Sequence, residues 1–176
     1  MTRRDMLRVG AGLLVGATPL PALAHRKTEP DRDLRLYNLH TTEQVNVVYW
    51  SRGEYVSEAL DEINRNLRDF RTGDISAIDP KLLDLLFALR SRLESKGVYQ
   101  VVSGYRSPKT NAMLANNRKG VAKRSLHTRG MAIDVKLPGR KLRDVQRAAR
   151  AMQAGGVGYY PRSGFVHLDV GRVRFW

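Results

Sequence analysis

Apolar and polar residues alternate through residues 34–40, where Leu34, Leu36 and Asn38 fall on one side and Arg35, Tyr37 and Leu39 on the other. Residues 44–50 alternate less strictly, with Val45, Val47 and Tyr49 in phase. A period of two sends successive side chains to opposite faces of a strand. With Thr41, Thr42 and Glu43 between them, the two runs predict a β-hairpin. The period then lengthens. Over residues 54–70, Val56, Leu60, Ile63, Leu67 and Phe70 recur at intervals of three and four, which predicts an amphipathic helix. A second helix is predicted behind Asp79-Pro80, a capping residue with proline at the first helical position. Its apolar face carries Leu82, Leu83, Leu86, Leu89 and Leu93.

Beyond it the pattern predicts a strand over 98–103, a brief helix over 110–116, a basic loop over 117–129 and a strand over 131–137. A helix over 141–152 stops at Gly155-Gly156, and two more strands are predicted at 157–160 and 164–170. No repeat and no long linker divides the chain. The expectation is a single α+β domain over residues 34–176, with a mainly antiparallel sheet flanked by helices.

Residues 1–24 read differently. Arg3-Arg4 precedes Met6 and Leu7, an apolar run follows from Val9 to Leu23, and Ala22-Leu23-Ala24 offers the small-x-small pattern that signal peptidases accept. The paired arginines resemble a twin-arginine signal. Pro19 and Pro21, and a run short for a span of about 20 residues, favour cleavage over a membrane anchor. The reading is export to the periplasm, a flexible lead-in over 25–33, and no membrane insertion once the signal is removed. The domain is expected to be a monomer.

The chain has 176 residues and a formal net charge of +14. Arg3, Arg4 and Arg8 against Asp5 account for +2 of this, leaving +12 on residues 25–176. Such a surplus favours a polyanionic partner. Charge alone would put nucleic acid first, but an exported protein does not meet it, so no nucleic-acid partner is expected. The absence of cysteine excludes disulfides, thiolate nucleophiles and Cys-ligated zinc.

There are four histidines. His25 and His40 are expected to be solvated. Six residues separate His127 from Asp134, and His167 lies two before Asp169 in a run that alternates as a strand. With His127 at a loop end and Asp134 within a strand, both side chains can point at one centre. Two imidazoles and a carboxylate with a position left open make a ligand set typical of catalytic zinc. Taken alone, the spacing better suits a loop-capping His127 and a satisfied core His167.

The flanking motifs change that balance. Ser103-Gly104-Tyr105-Arg106-Ser107-Pro108, the Ser125/His127/Gly130/Ala132/Asp134 series, Gly155-Gly156-Val157-Gly158-Tyr159-Tyr160 and Phe165-Val166-His167-Leu168-Asp169 occur in that order. Together they resemble the zinc D-Ala-D-Ala carboxypeptidase and murein endopeptidase family, in the fold group shared with lysostaphin-type enzymes. The likeness is nearest to its periplasmic K-type murein endopeptidases and spans nearly the whole chain. It implies one Zn²⁺ held by His127, Asp134 and His167, and a substrate carboxylate bound by Arg106, a geometry that guanidinium suits. Peptide stems of peptidoglycan are the implied partner. Diaminopimelate–diaminopimelate crosslinks are the implied target, with D-Ala–diaminopimelate links as a second.

Ser103 and Tyr105 either orient the Arg106 loop or line the cleft, and Tyr160 either packs or donates to a developing oxyanion. Many members of the family carry Glu or Asp three residues before the last zinc histidine, where this chain has Gly164. Asp169 is then the nearest candidate for the catalytic base, its other role being to orient a metal ligand. The basic residues Arg118, Lys119, Lys123, Arg124 and Arg129 form either a positive rim or a solvated loop. Two alternatives to the endopeptidase stand beside it: a carboxypeptidase trimming terminal D-Ala, and a non-catalytic zinc-containing wall-binding module.

Overall fold

The computed structural model describes residues 29–117 and 122–176. The proposed signal, His25 and most of the lead-in lie outside the described residues, as do Arg118 and Lys119. The hairpin forms as expected, with β1 (Arg32–Asn38) antiparallel to β2 (Gln44–Ser51). The first helix is shorter than its apolar spacing suggested. Arg52 and Gly53 turn the chain with positive φ, and Glu54–Tyr55 becomes a short strand, β3, paired to the end of β2. Helix α1 therefore runs over Ser57–Asn66. Leu67 caps it, and its carbonyl is taken by the backbone N–H of Tyr105.

Helix α2 (Pro80–Arg92) begins where the sequence places it: the Asp79 side chain accepts a hydrogen bond from the Lys81 N–H. That satisfies one of the free donors of the first turn and contributes about 1 kcal/mol. Strand β4 (Tyr99–Ser103), helix α3 (Pro108–Asn117), strand β5 (Ala132–Lys136), helix α4 (Leu142–Met152) and strands β6 (Gly156–Tyr160), β7 (Phe165–Asp169) and β8 (Arg174–Phe175) follow. Strands β3 and β8 are too short to leave a period in the sequence.

Within the described residues the strands form one sheet, ordered β3-β2-β1-β4-β5-β7-β6-β8. It is mainly antiparallel, with parallel pairs only at β1/β4 and β6/β8. Helix α2 packs on β1, α4 packs on β6 and β7, and the two helices touch each other, so both cover one face. That face holds the core: Leu34, Leu36, Val101, Ile133, Val135, Val166 and Leu168 point into it and meet Leu82, Leu86, Leu89 and Val145. Alternation along the same strands sends the residues in between to the other face.

Candidate metal centre and cleft

The residues sent to that other face are polar. Ser103 on β4 stands in register with Asp134 on β5, Asp134 with His167 on β7, and His167 with Gly158 on β6. One row across four adjacent strands thus brings together residues from all four sequence motifs. A period-two strand must present His167 and Asp169 together, and Asp169 does stand behind His167.

His127 reaches the row by another route. The sequence reading placed it towards the end of a basic loop, and there it lies on a short 3₁₀ helix, Leu126–Arg129. Ser125 Oγ caps that helix on the His127 N–H, and Gly130 closes it with φ of 66°. A Cβ at Gly130 would lie 2.1 Å from the Ala77 carbonyl oxygen, so glycine is required there both by conformation and by space. The loop before α3 clasps His127 from two sides. Its Nδ1 donates to the Gly104 carbonyl at 2.7 Å, and its own carbonyl accepts from the Arg106 N–H at 3.1 Å. Buried Asp69 anchors that loop by accepting from the Ser107 N–H at 2.8 Å.

His127 Nε2, Asp134 Oδ1 and His167 Nδ1 converge. The two nitrogens are 3.3 Å apart, and Asp134 Oδ1 is 3.3 Å from His127 Nε2 and 2.8 Å from His167 Nδ1. All three residues are buried. The outer nitrogens face acceptors, Gly104 O for His127 Nδ1 and Asp169 Oδ2 for His167 Nε2. Protons on those outer nitrogens would leave both inner lone pairs and a carboxylate oxygen aimed at one point, an arrangement that a cation there would stabilise. The electrostatics divide the two imidazoles. Burial lowers the pKa of His127 against the pull of Asp134, keeping its imidazole neutral. Burial would lower His167 too, but the hydrogen bonds to Asp134 and Asp169 outweigh it and raise its pKa. Burial would raise Asp134, and the two imidazoles instead hold it well below the usual carboxylate range. Two nitrogens and one carboxylate, all on one side of a divalent ion, fit the donor set of a site with an open position.

The centre lies in a cleft of about 650 Å³ lined by Arg106, Arg124, Leu126, Tyr160, Phe165 and Trp176 among others. Arg106 Nη2 binds Asp134 Oδ2 at 2.5 Å and its Nε donates to Ser103 Oγ at 2.8 Å. Ser103 therefore orients Arg106, while Tyr105 turns away to pack against the core. Burial lowers the pKa of Arg106, which the adjoining Asp134 opposes. The far wall is aromatic. Tyr160 stacks on Phe165 with ring centroids 4.7 Å apart, and the Trp176 indole N–H donates to the Tyr160 hydroxyl at 2.8 Å. The Trp176 ring fits there because residue 158 is glycine; a Cβ at that position would come within 2.6 Å of the indole. The sequence reading passed over Trp176, because a tryptophan at the end of a short polar run carries no period to mark it.

Asp169, the nearest candidate for a base on sequence grounds, is fully buried. Besides His167 it accepts from the Gly156 and Gly171 N–H groups and from both terminal nitrogens of Arg174. Every direction in which it could accept is taken, and it sits behind the metal ligand. Gly164, with φ of 70°, belongs to the turn between β6 and β7, where an added Cβ would meet only Lys136. Among the described residues that line the cleft, Asp134 is the one carboxylate.

A polar row on one face of an α+β sheet, with a His-Asp-His group able to hold a cation and a guanidinium in the same cleft, suits hydrolytic chemistry, and comparison with known proteins narrows the class to a peptidase. A family model described as peptidoglycan L,D-endopeptidase MepK matches residues 26–176. The peptidoglycan L,D-endopeptidase MepK of Escherichia coli strain K12 is 44% identical over 176 residues, covering 99% of this chain and 96% of its own. A probable peptidoglycan L,D-endopeptidase MepK of Haemophilus influenzae is 35% identical over 177 residues, covering 99% of this chain and 95% of its own. The chain belongs to the peptidoglycan L,D-endopeptidase MepK family of peptidases. No solved structure matches it.

Proposed function

We propose that this protein is a zinc-dependent endopeptidase of the periplasm that hydrolyses peptide crosslinks in peptidoglycan, with diaminopimelate–diaminopimelate links as its main target. The observation that carries the reading is the convergence of His127 Nε2, Asp134 Oδ1 and His167 Nδ1 at the floor of the cleft. These three residues would hold one Zn²⁺. Lewis acidity is what such an ion supplies when bound, polarising a carbonyl and acidifying water. Names of the relatives support the substrate class, and the Arg3-Arg4 pair supports export by the twin-arginine route. No described helix is long and apolar enough to cross a membrane.

The chain's own groups supply the rest. Arg106 spends one terminal nitrogen on Asp134 and keeps further N–H donors on the cleft side for a stem carboxylate. Because Tyr160 Oη already accepts from Trp176, its own hydrogen is free to point into the cleft and donate to the oxygen on which charge develops. The buried carboxylate Asp169 holds the proton of His167 on Nε2, and so leaves Nδ1 bare towards the centre. Asp169 is thus a positioning residue.

Digestion of purified sacculi tests the whole reading. Crosslinked muropeptide dimers should fall to monomers with the metal-loaded protein, and a chelator should stop this until zinc is restored. Intact dimers after prolonged incubation with zinc-loaded protein would sink the endopeptidase reading, and loss of terminal D-Ala instead would favour the carboxypeptidase. Tyr160→Phe should lower kcat about tenfold, the worth of one ordinary hydrogen bond, with bound zinc and KM unchanged. An unaltered kcat would reduce Tyr160 to a packing role.

A further inference from the structure

A second cavity, of about 500 Å³, opens beside the cleft between α3 and the segment 123–129. The two share Arg124, Ser125 and Leu126 as lining, so they adjoin along those residues. Pro108 and Ala115 give the cavity an apolar wall. Lys123, Arg124 and Arg129 surround it, with no acidic residue in the lining and no ion pair to any described residue. Asn111 adds a polar group from beneath. It is only 3% exposed, and its Nδ2 donates to the Ala122 and Lys123 carbonyls, which fixes the amide orientation. Its Oδ1 is closed to solvent and has no partner among the described residues.

Each part of the lining asks for a different group. Three cations ask for a carboxylate, and the small apolar wall accepts methyl or methylene groups. A short peptide with a free carboxylate combines the two. A crosslink joins two such peptides, and the cleft has room at its centre for the scissile amide and the stem held by Arg106. We propose that the cavity is a subsite for the second stem peptide of the crosslinked substrate. The inference rests on the endopeptidase reading for its choice of peptide, but not for the existence of the site.

Two variants address the cavity without touching the metal centre: Ala115→Phe, which fills it, and the pair Lys123→Glu with Arg129→Glu, which reverses its charge. Each is assayed on purified crosslinked disaccharide–peptide dimers and on a short synthetic peptide with the same scissile amide but no second stem. KM for the dimer should rise about tenfold, the loss of one charge-assisted contact, with kcat, bound zinc, melting temperature and turnover of the short peptide unchanged. Equal effects on both substrates, or none on either, would overturn the subsite. Calorimetric titration of metal-free wild-type protein with a soluble stem tetrapeptide decides independently of turnover. Binding that Ala115→Phe abolishes supports the site even if no bond is cut. Undiminished binding to that variant, or no binding to the wild type, removes it.

Discussion

Replacement of His167 by alanine is expected to abolish peptidase activity and metal binding together. His167 Nδ1 is one of the three converging donor atoms, and no other described His, Cys, Asp or Glu joins the group. With it gone, Asp134 and His127 are left to hold a divalent ion between them, too few ligands to compete with solvent. The effect is also legible without an activity assay. A ligand that binds only the folded state at about 100 times its Kd stabilises by about 2.7 kcal/mol. For a domain of this size that raises Tm by roughly 5–10 °C. Zinc should therefore raise the melting temperature of the wild-type protein, measured by calorimetry, and leave that of His167→Ala where it was. If the variant keeps both the zinc-induced shift and its activity on sacculi, the three-residue centre is wrong. Loss of activity with zinc retained would assign His167 to the chemistry instead of the metal.

The sequence exposed the centre unevenly, for physical reasons. Asp134, His167 and Asp169 sit on strands, and a period of two fixes which face a strand residue shares with its neighbours. Their grouping therefore follows from alternation once the strands pair. His127 is different. Its side chain is placed by a 3₁₀ turn, a left-handed Gly130 and a hydrogen bond to Gly104 from a loop more than twenty residues away. None of these has a period, and only the order of motifs pointed to it. Arg106 was legible as a candidate for carboxylate binding, but its ion pair with Asp134 depends on the β4/β5 register. The short edge strands β3 and β8 were invisible for the same reason, since two residues cannot show alternation. Trp176 became part of the wall only because β8 leads it back past Gly158.

Asp169 is where a base and a positioning residue make opposite predictions. Burial by itself would raise its pKa, but the hydrogen bonds from His167, Gly171, Arg174 and Gly156 hold it down to about 2. A carboxyl whose folded pKa is depressed stabilises the fold above its unfolded value of about 4, and that stability is lost as pH falls from about 4 through 2. Asp169→Ala removes the acceptor for all of these donors and strands the Arg174 charge, at a cost of about 3–5 kcal/mol and a Tm lower by roughly 10 °C or more. Asp169→Asn isolates the chemistry. The amide fills the same space, but its Nδ2 can donate where the carboxylate only accepted. Turned towards His167, it asks Nε2 to accept and drives the proton to Nδ1, the atom that faces the centre. Zinc affinity should fall about 10–100-fold, and activity on crosslinked dimers should return as zinc is raised to saturation. A general base lost to asparagine would behave otherwise: zinc would stay bound and no concentration of it would restore kcat. Recovery at high zinc makes Asp169 the residue that sets the His167 tautomer, and failure to recover makes it the base despite its burial.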